Sequence, residues 1–189
     1  MNIVHIGSPF KNIGGVSKHI DIIIKHALNV NIKQRHLYIS RNKKSNFDIR
    51  YSLFNLMEKV VELKKICLNN KADIIHAHTQ RAGFISILIK IFFLKNIKVF
   101  YTPHGFRHKQ KKYISACFHL GIEKLLLNFI DHLFLLTLDE LIFIKDRNYK
   151  KYTLLNNVID VDDYKQKKYI KIYNKKKIIL NISNLDSIK

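Results

Sequence analysis

Short apolar runs bounded by polar residues recur along the chain and predict strands at 2–6, 34–40, 73–77, 97–102, 132–137, 152–156 and 177–183. Between them, apolar residues recur at helical spacing over about 16–28, 54–70, 82–94, 115–129 and 138–147. Runs such as Ile74-Ile75 and Val99-Phe100-Tyr101 are continuous rather than alternating, the pattern of parallel strands covered on both faces. Strands that alternate with helices build right-handed βαβ units in one sheet. The predicted fold is therefore α/β, a Rossmann-like parallel sheet with helices on both faces. The rhythm breaks after Asp160, where a polar stretch carries Lys165, Lys167, Lys168, Lys171, Lys175, Lys176 and Lys177. This reads as a solvated linker. The expected organisation is a domain over 1–160, a linker over 161–176, and the first strand and loop of a second domain over 177–189.

Composition narrows this picture. With 189 residues, 47% apolar and 25% charged, the chain has an ordinary globular balance. A domain of this size can bury roughly 70% of the surface its unfolded chain exposes. Gly83 to Leu94 is too short to span a bilayer, and Leu125 to Ile144 is interrupted by Asp131, His132, Asp139 and Glu140. Cys67 and Cys117 lie in apolar helical stretches and read as buried free thiols in a reducing compartment. The N-terminus enters a strand directly, without the basic and apolar regions of a secretory signal, so a cytoplasmic location is expected.

The net charge of +20 changes less than its size suggests. Of 34 basic residues only 6 are arginine, and Lys, Ile and Asn are abundant throughout, as AT-rich coding would give. Base-reading proteins lean on arginine for bidentate contacts, and no nucleic-acid-binding motif is present, so no nucleic-acid partner is expected. A basic face can still attract an anionic membrane surface or a diphosphate-bearing substrate.

In an open parallel sheet, ligands bind beyond the carboxyl ends of the strands. After the first strand comes Gly7-Ser-Pro-Phe-Lys-Asn-Ile-Gly14-Gly15-Val16, opening a helix. Paired glycines at a helix N-terminus let backbone N–H groups approach a phosphate, although taken alone they equally suit a plain turn, and the spacing is not that of a dinucleotide binder. After the third strand, Asp73-Ile-Ile-His76-Ala-His78-Thr79-Gln80-Arg81 places His76 and His78 on one side of the strand. A carboxylate or third histidine at suitable spacing is missing, so no metal site is expected, and the pair reads as a polar cluster facing the cleft, with packed structural histidines as the alternative. After the fourth strand, Pro103 ends the run, Gly105 permits a tight turn and His104 is thrown beyond the sheet. Histidine there suits hydrogen bonding or proton transfer near neutral pH.

Taken in order, Gly14-Gly15-Val16-x-x-His19, Asp73-Ile-Ile-His76-Ala-His78, Thr102-Pro103-His104-Gly105-Phe106, Asp131 to Glu140 and Leu155 to Asp160 closely resemble the amino-terminal half of family 4 glycosyltransferases. These are retaining nucleotide-sugar enzymes of the GT-B fold, and the likeness is closest to members that build cell-surface polysaccharides. The resemblance spans residues 2 to 189. It implies that His104 is the active-site histidine contacting the transferred sugar, on the turn completed by Gly105. It also implies that Gly14 and Gly15 lie near the donor diphosphate and the acceptor, with His19, His78 and Arg81 on the same substrate side. Ser183-Asn184-Leu185-Asp186-Ser-Ile-Lys189 matches the opening of the family's nucleotide-binding domain, where Lys189 aligns with a lysine that holds donor phosphates.

The matches carry departures. Asn156 and Val158 replace a usual proline and glycine, and Asn184 stands where an arginine is usual, removing a positive charge from the phosphate clamp. The family's donor site lies mainly in the carboxyl-terminal domain. The expectation is a truncated transferase, inactive alone, with no cofactor; its partners would be a nucleotide-sugar and a lipid-linked or polysaccharide acceptor, with peripheral contact at the inner membrane face. Two alternatives stay open: the acceptor-binding subunit of a two-chain enzyme, and a non-catalytic basic module that binds membrane or acceptor.

Overall fold

The structure, a computed structural model, describes residues 1–7, 15–27, 32–38, 56–106, 113–145 and 149–155. Strands and helices alternate through them: β1 (Asn2–Gly7), α1 (Gly15–Ala27), β2 (Lys33–Tyr38), α2 (Leu56–Asn69), β3 (Ile74–Ala77), α3 (Gln80–Phe92), β4 (Lys98–Tyr101), α4 (Tyr113–Phe129), β5 (His132–Leu135), α5 (Leu138–Lys145) and β6 (Tyr152–Leu154). The six strands form one parallel sheet in the order β2-β1-β3-β4-β5-β6. The chain moves outward from β1 to β2, then crosses back to β3 on the other side of β1. That reversal leaves a crevice at the carboxyl ends of β1 and β3.

The predicted elements are present within a few residues, and the differences have local causes. The fifth strand ends at Leu135 rather than 137. The Leu136 N–H donates to Glu140 Oε2 at 2.7 Å, and Thr137 Oγ1 accepts from the Glu140 N–H at 3.3 Å, turning the chain into α5. Helix α3 starts at Gln80 because Thr79 caps it, its Oγ1 accepting from the Ala82 N–H. The strand expected at 177–183 and the linker at 161–176 lie outside the described residues.

Each strand residue faces one side of the sheet or the other, and the two sides differ. On one, Val4, Ile6, Ile75, Val99, Tyr101, Leu133 and Leu135 form a buried cluster with Val60, Leu63 and Cys67 of α2, Ala82, Ile85 and Ile89 of α3, and Leu126 of α4. On the other, the register aligns His36, His5, His76, Phe100 and His132 across five neighbouring strands. Helix α1 packs over β1 and β2. A Cβ on Gly7 would lie 2.4 Å from Ile20 Cδ1 and 2.7 Å from His36 Nε2, so a larger residue here would have to push those side chains aside.

Two landmark carboxylates sit at the opposite, amino-terminal edge. Asp73 Oδ2 accepts from the Asn2 N–H, and Asp131 Oδ2 accepts from the Val99 N–H and from Lys90 Nζ. Both tie strand starts together. Cys67 is buried as expected, and burial pushes its thiol up to about 12; Cys117 is exposed instead, on the outer side of α4. No helix among the described residues is long and apolar enough to cross a membrane.

Candidate functional site

Five histidines from four segments converge at the carboxyl ends of β1, β3 and β4. His5 comes from β1, His76 from β3, His78 from the residue after it, His104 from the turn after β4, and His19 from α1. Backbone bonds carry the sheet into this region: the His78 N–H donates to Ile6 O at 2.9 Å and the Thr102 N–H to Ala77 O at 2.8 Å.

The turn that presents His104 is strained by design of its sequence. His104 and Gly105 are consecutive left-handed residues, with φ of 51° and 95°. Glycine takes such a conformation freely, whereas a histidine held there must be fixed by its surroundings. The fixing group is Glu140 of α5. Its Oε1 accepts from the Gly105 N–H at 2.7 Å while its Oε2 holds Leu136, and Phe106 packs on Phe143 with ring centres 4.3 Å apart.

The imidazoles are joined to one another and to neutral partners. Gln34 Oε1 lies 2.7 Å from His5 Nε2; His5 Nδ1 lies 3.0 Å from His78 Nε2; His78 Nδ1 lies 3.2 Å from His104 Nε2. His76 Nε2 meets Thr102 Oγ1 at 2.8 Å, and its ring stacks on His78 with centres 4.0 Å apart. His19 meets His104 edge-on at 5.1 Å; its buried Nδ1 has no hydrogen-bond partner among the described residues, nor does the buried Ser17 Oγ two residues before it. Burial disfavours the charged form throughout. It lowers His5 and His104 to about 4, holds His76 and His78 well below the ordinary histidine value, and lowers His19 as well. At neutral pH the site is a nest of uncharged rings, able to donate and accept hydrogen bonds but not to supply positive charge.

The sequence reading expected no third histidine beside His76 and His78; the register supplies one, since His5 pairs directly opposite His76. The ring nitrogens of His5, His76 and His78 lie within 4.8 Å of one another, and this is the one group among the described residues that could hold a metal ion. Neutral imidazoles are competent ligands. The 3.0 Å separation of His5 Nδ1 and His78 Nε2 is, however, that of a hydrogen bond.

Of the predicted site residues, His19, His78, His104 and Gly105 come together. Arg81 stands in the first turn of α3, partly buried. Gly15 begins α1, exposed, where a Cβ would meet nothing within 4 Å. Gly14 and Lys189 lie outside the described residues. Reasoning from the sequence missed His5, Gln34 and Glu140. The signal for His5 was available as a histidine near the middle of the first strand, but its partner lies 73 residues away. A cavity at the opposite end of the sheet, lined by Cys67, Asp73, Ile74, Phe93 and Lys98 among others, lies away from this cluster.

No family model matches the sequence, and no curated protein matches it significantly. Solved structures do match. The apo form of the lipopolysaccharide outer core galactosyltransferase WaaB superposes with a TM-score of 0.63 at 16% identity, over 85% of this chain and 47% of that one. Sucrose-phosphate synthase from Thermosynechococcus elongatus gives 0.61 at 15%, over 82% and 47%. UDP-GlcNAc 2-epimerase from Methanocaldococcus jannaschii gives 0.57 at 13%, over 83% and 46%. The chain thus spans about half the length of these three proteins. At such identities the likeness establishes the fold alone: a Rossmann-like parallel sheet flanked by helices that matches the amino-terminal domain of the GT-B fold.

Proposed function

We propose that this chain is the acceptor-side half of a retaining nucleotide-sugar glycosyltransferase of the family 4 type, acting in cell-surface polysaccharide assembly. The observation that carries the reading is His104, half-buried and uncharged, held on a strained turn beside His19 at the carboxyl end of β4. Ligands of open α/β sheets gather at that edge. His104 would contact the transferred sugar. Gly14, Gly15, His19 and Arg81 would line the acceptor and diphosphate side, His78 would stand buried behind His104 rather than against the substrate, and Lys189 would reach the donor phosphates.

In the reaction, the bond from the sugar's anomeric carbon to the diphosphate oxygen breaks and a bond from that carbon to an acceptor hydroxyl oxygen forms. The hydroxyl proton passes to the departing diphosphate on the same face of the ring. Charge develops on the diphosphate, so fixed positive groups must face it. A neutral His104 cannot be one of them, which leaves that task to lysine and arginine and, in a GT-B enzyme, mainly to the nucleotide-binding domain. By itself the chain would then not transfer sugar. The excess of lysine supports a peripheral contact with an anionic membrane, where a lipid-linked acceptor would reside.

The test is sugar transfer from a panel of UDP-, GDP- and ADP-sugars to polyprenyl-linked acceptors. The chain is assayed alone and joined to a GT-B nucleotide-binding domain. We expect transfer in the joined form only, with His104→Ala lowering its kcat by about 10-fold, the loss of one hydrogen bond to the sugar. Epimerised nucleotide-sugar in place of a transferred sugar would reject the transferase reading, and sugar transfer by the chain alone would reject the reading that it is only half of the site.

A further inference from the structure

The contacts from Gln34 to His104 fix more than position. A neutral imidazole carries one N–H and one bare nitrogen, so settling either settles the other. Gln34 presents its amide oxygen, which can only accept, so the proton of His5 sits on Nε2 and its Nδ1 is bare. A bare Nδ1 must accept from His78, placing that ring's proton on Nε2 and leaving its Nδ1 bare. His78 Nδ1 in turn accepts from His104 Nε2. We propose that Gln34, His5 and His78 form a hydrogen-bonded relay of fixed polarity that holds His104 as its Nε2–H tautomer, with bare Nδ1 turned over to a ligand.

Three further observations support it. His5 and His78 are 1% and 0% exposed, so water does not compete for their ring nitrogens. Burial keeps each ring neutral, with a single proton to place. His76 lies outside the relay, with its Nε2 on Thr102, and stacks on His78 to hold that ring's plane. The chemical consequence is selective. A bare nitrogen accepts from a hydroxyl and repels a phosphate oxygen, so His104 Nδ1 takes a polyol such as a sugar ring and not the anionic part of a donor. His5, His78 and Gln34 are positioning residues for His104.

This consequence rests on the proposed transferase reading, but the relay itself is read without activity. The complete chain, labelled with nitrogen-15 at histidine, is examined by long-range proton–nitrogen correlation at pH 7. We expect Nε2–H and bare Nδ1 on His5, His78 and His104. Gln34→Glu, whose carboxylate also only accepts, keeps that pattern. His5→Phe removes the acceptor for His78, so His104 becomes a mixture of tautomers while His76 is unchanged. If the phenylalanine variant does not fold, the wild-type and Gln34→Glu spectra decide. Nδ1–H on His104 in the wild type overturns the proposal. So does stoichiometric binding of added zinc with shifts at His5, His76 and His78, which would make the trio a metal site. The expected tautomers together with no sugar transfer by the joined enzyme would reject the transferase reading and leave the relay standing.

Discussion

His104 adopts a left-handed backbone conformation that costs a non-glycine residue about 1–3 kcal/mol, and it is followed by a glycine with φ of 95°. The pair divides the work: His104 supplies chemistry where its backbone is strained, and Gly105 supplies the freedom that lets the turn close. Gly105→Ala puts a Cβ on a backbone that L side chains rarely adopt. It is expected to destabilise the chain by about 1–3 kcal/mol in urea unfolding. It should also weaken the His78–His104 hydrogen bond, visible as a change in the His104 ring nitrogen shifts. A variant with native stability and an unchanged His104 signal would show that the turn tolerates the side chain. Gly7 answers to a different cause, the crowding of Ile20 and His36 against the end of β1.

At the scale of elements, α5 is what holds the His104 turn in place. Glu140 bridges two segments, accepting from Gly105 after β4 and from Leu136 after β5, and is itself 3% exposed. A backbone N–H bonded to a carboxylate contributes about 1.5–3 kcal/mol, and leaving the donor buried without a partner costs the desolvation as well. Glu140→Ala is therefore expected to lose about 3 kcal/mol or more, and Glu140→Gln, with a single accepting oxygen, roughly half of that. Equilibrium urea unfolding of the two variants measures both. Equal losses would mean that the carboxylate acts through packing and not through its two hydrogen bonds. The same helix start fixes where β5 stops, so strand length and turn geometry have one cause.

For the whole molecule, a buried histidine row makes stability depend on pH. His5 and His104 are lowered from 6.5 to about 4, and His19, His36, His76 and His78 are lowered too. Below 6.5 the unfolded chain takes up protons that the folded chain refuses, so stability falls as pH drops. The contribution is complete above 6.5 and lost as pH falls through that value toward about 4. His5 alone accounts for about 3 kcal/mol across this window, at 1.36 kcal/mol per unit. Set against a typical stability of about 5–15 kcal/mol, the row is expected to make the chain unfold in mild acid. Thermal melting followed by circular dichroism from pH 7.5 to 4.5 should show a midpoint that falls steadily below pH 6.5. A flat profile would mean that these rings protonate in the fold as readily as in water.

The alternation of strands and helices was legible in the sequence because apolar spacing is a local property, set within each run by the face it must bury. Ile74-Ile75 and Val99-Phe100-Tyr101 announce strands covered on both sides whatever lies elsewhere. The same locality placed His76 and His78 on one side of a strand and His104 on a turn after a proline. Cys117 shows the limit: an apolar stretch does not say which helix positions face outward, and this one does. What the tertiary structure decided is the company each residue keeps. Strand order set β1 between β2 and β3, and parallel register then brought His5 opposite both His36 and His76 and within reach of Gln34 and His78. Glu140 came to hold Gly105 from 35 residues away by the same route. Such pairings depend on hydrogen bonds between strands far apart in the chain, and no spacing along the sequence encodes them.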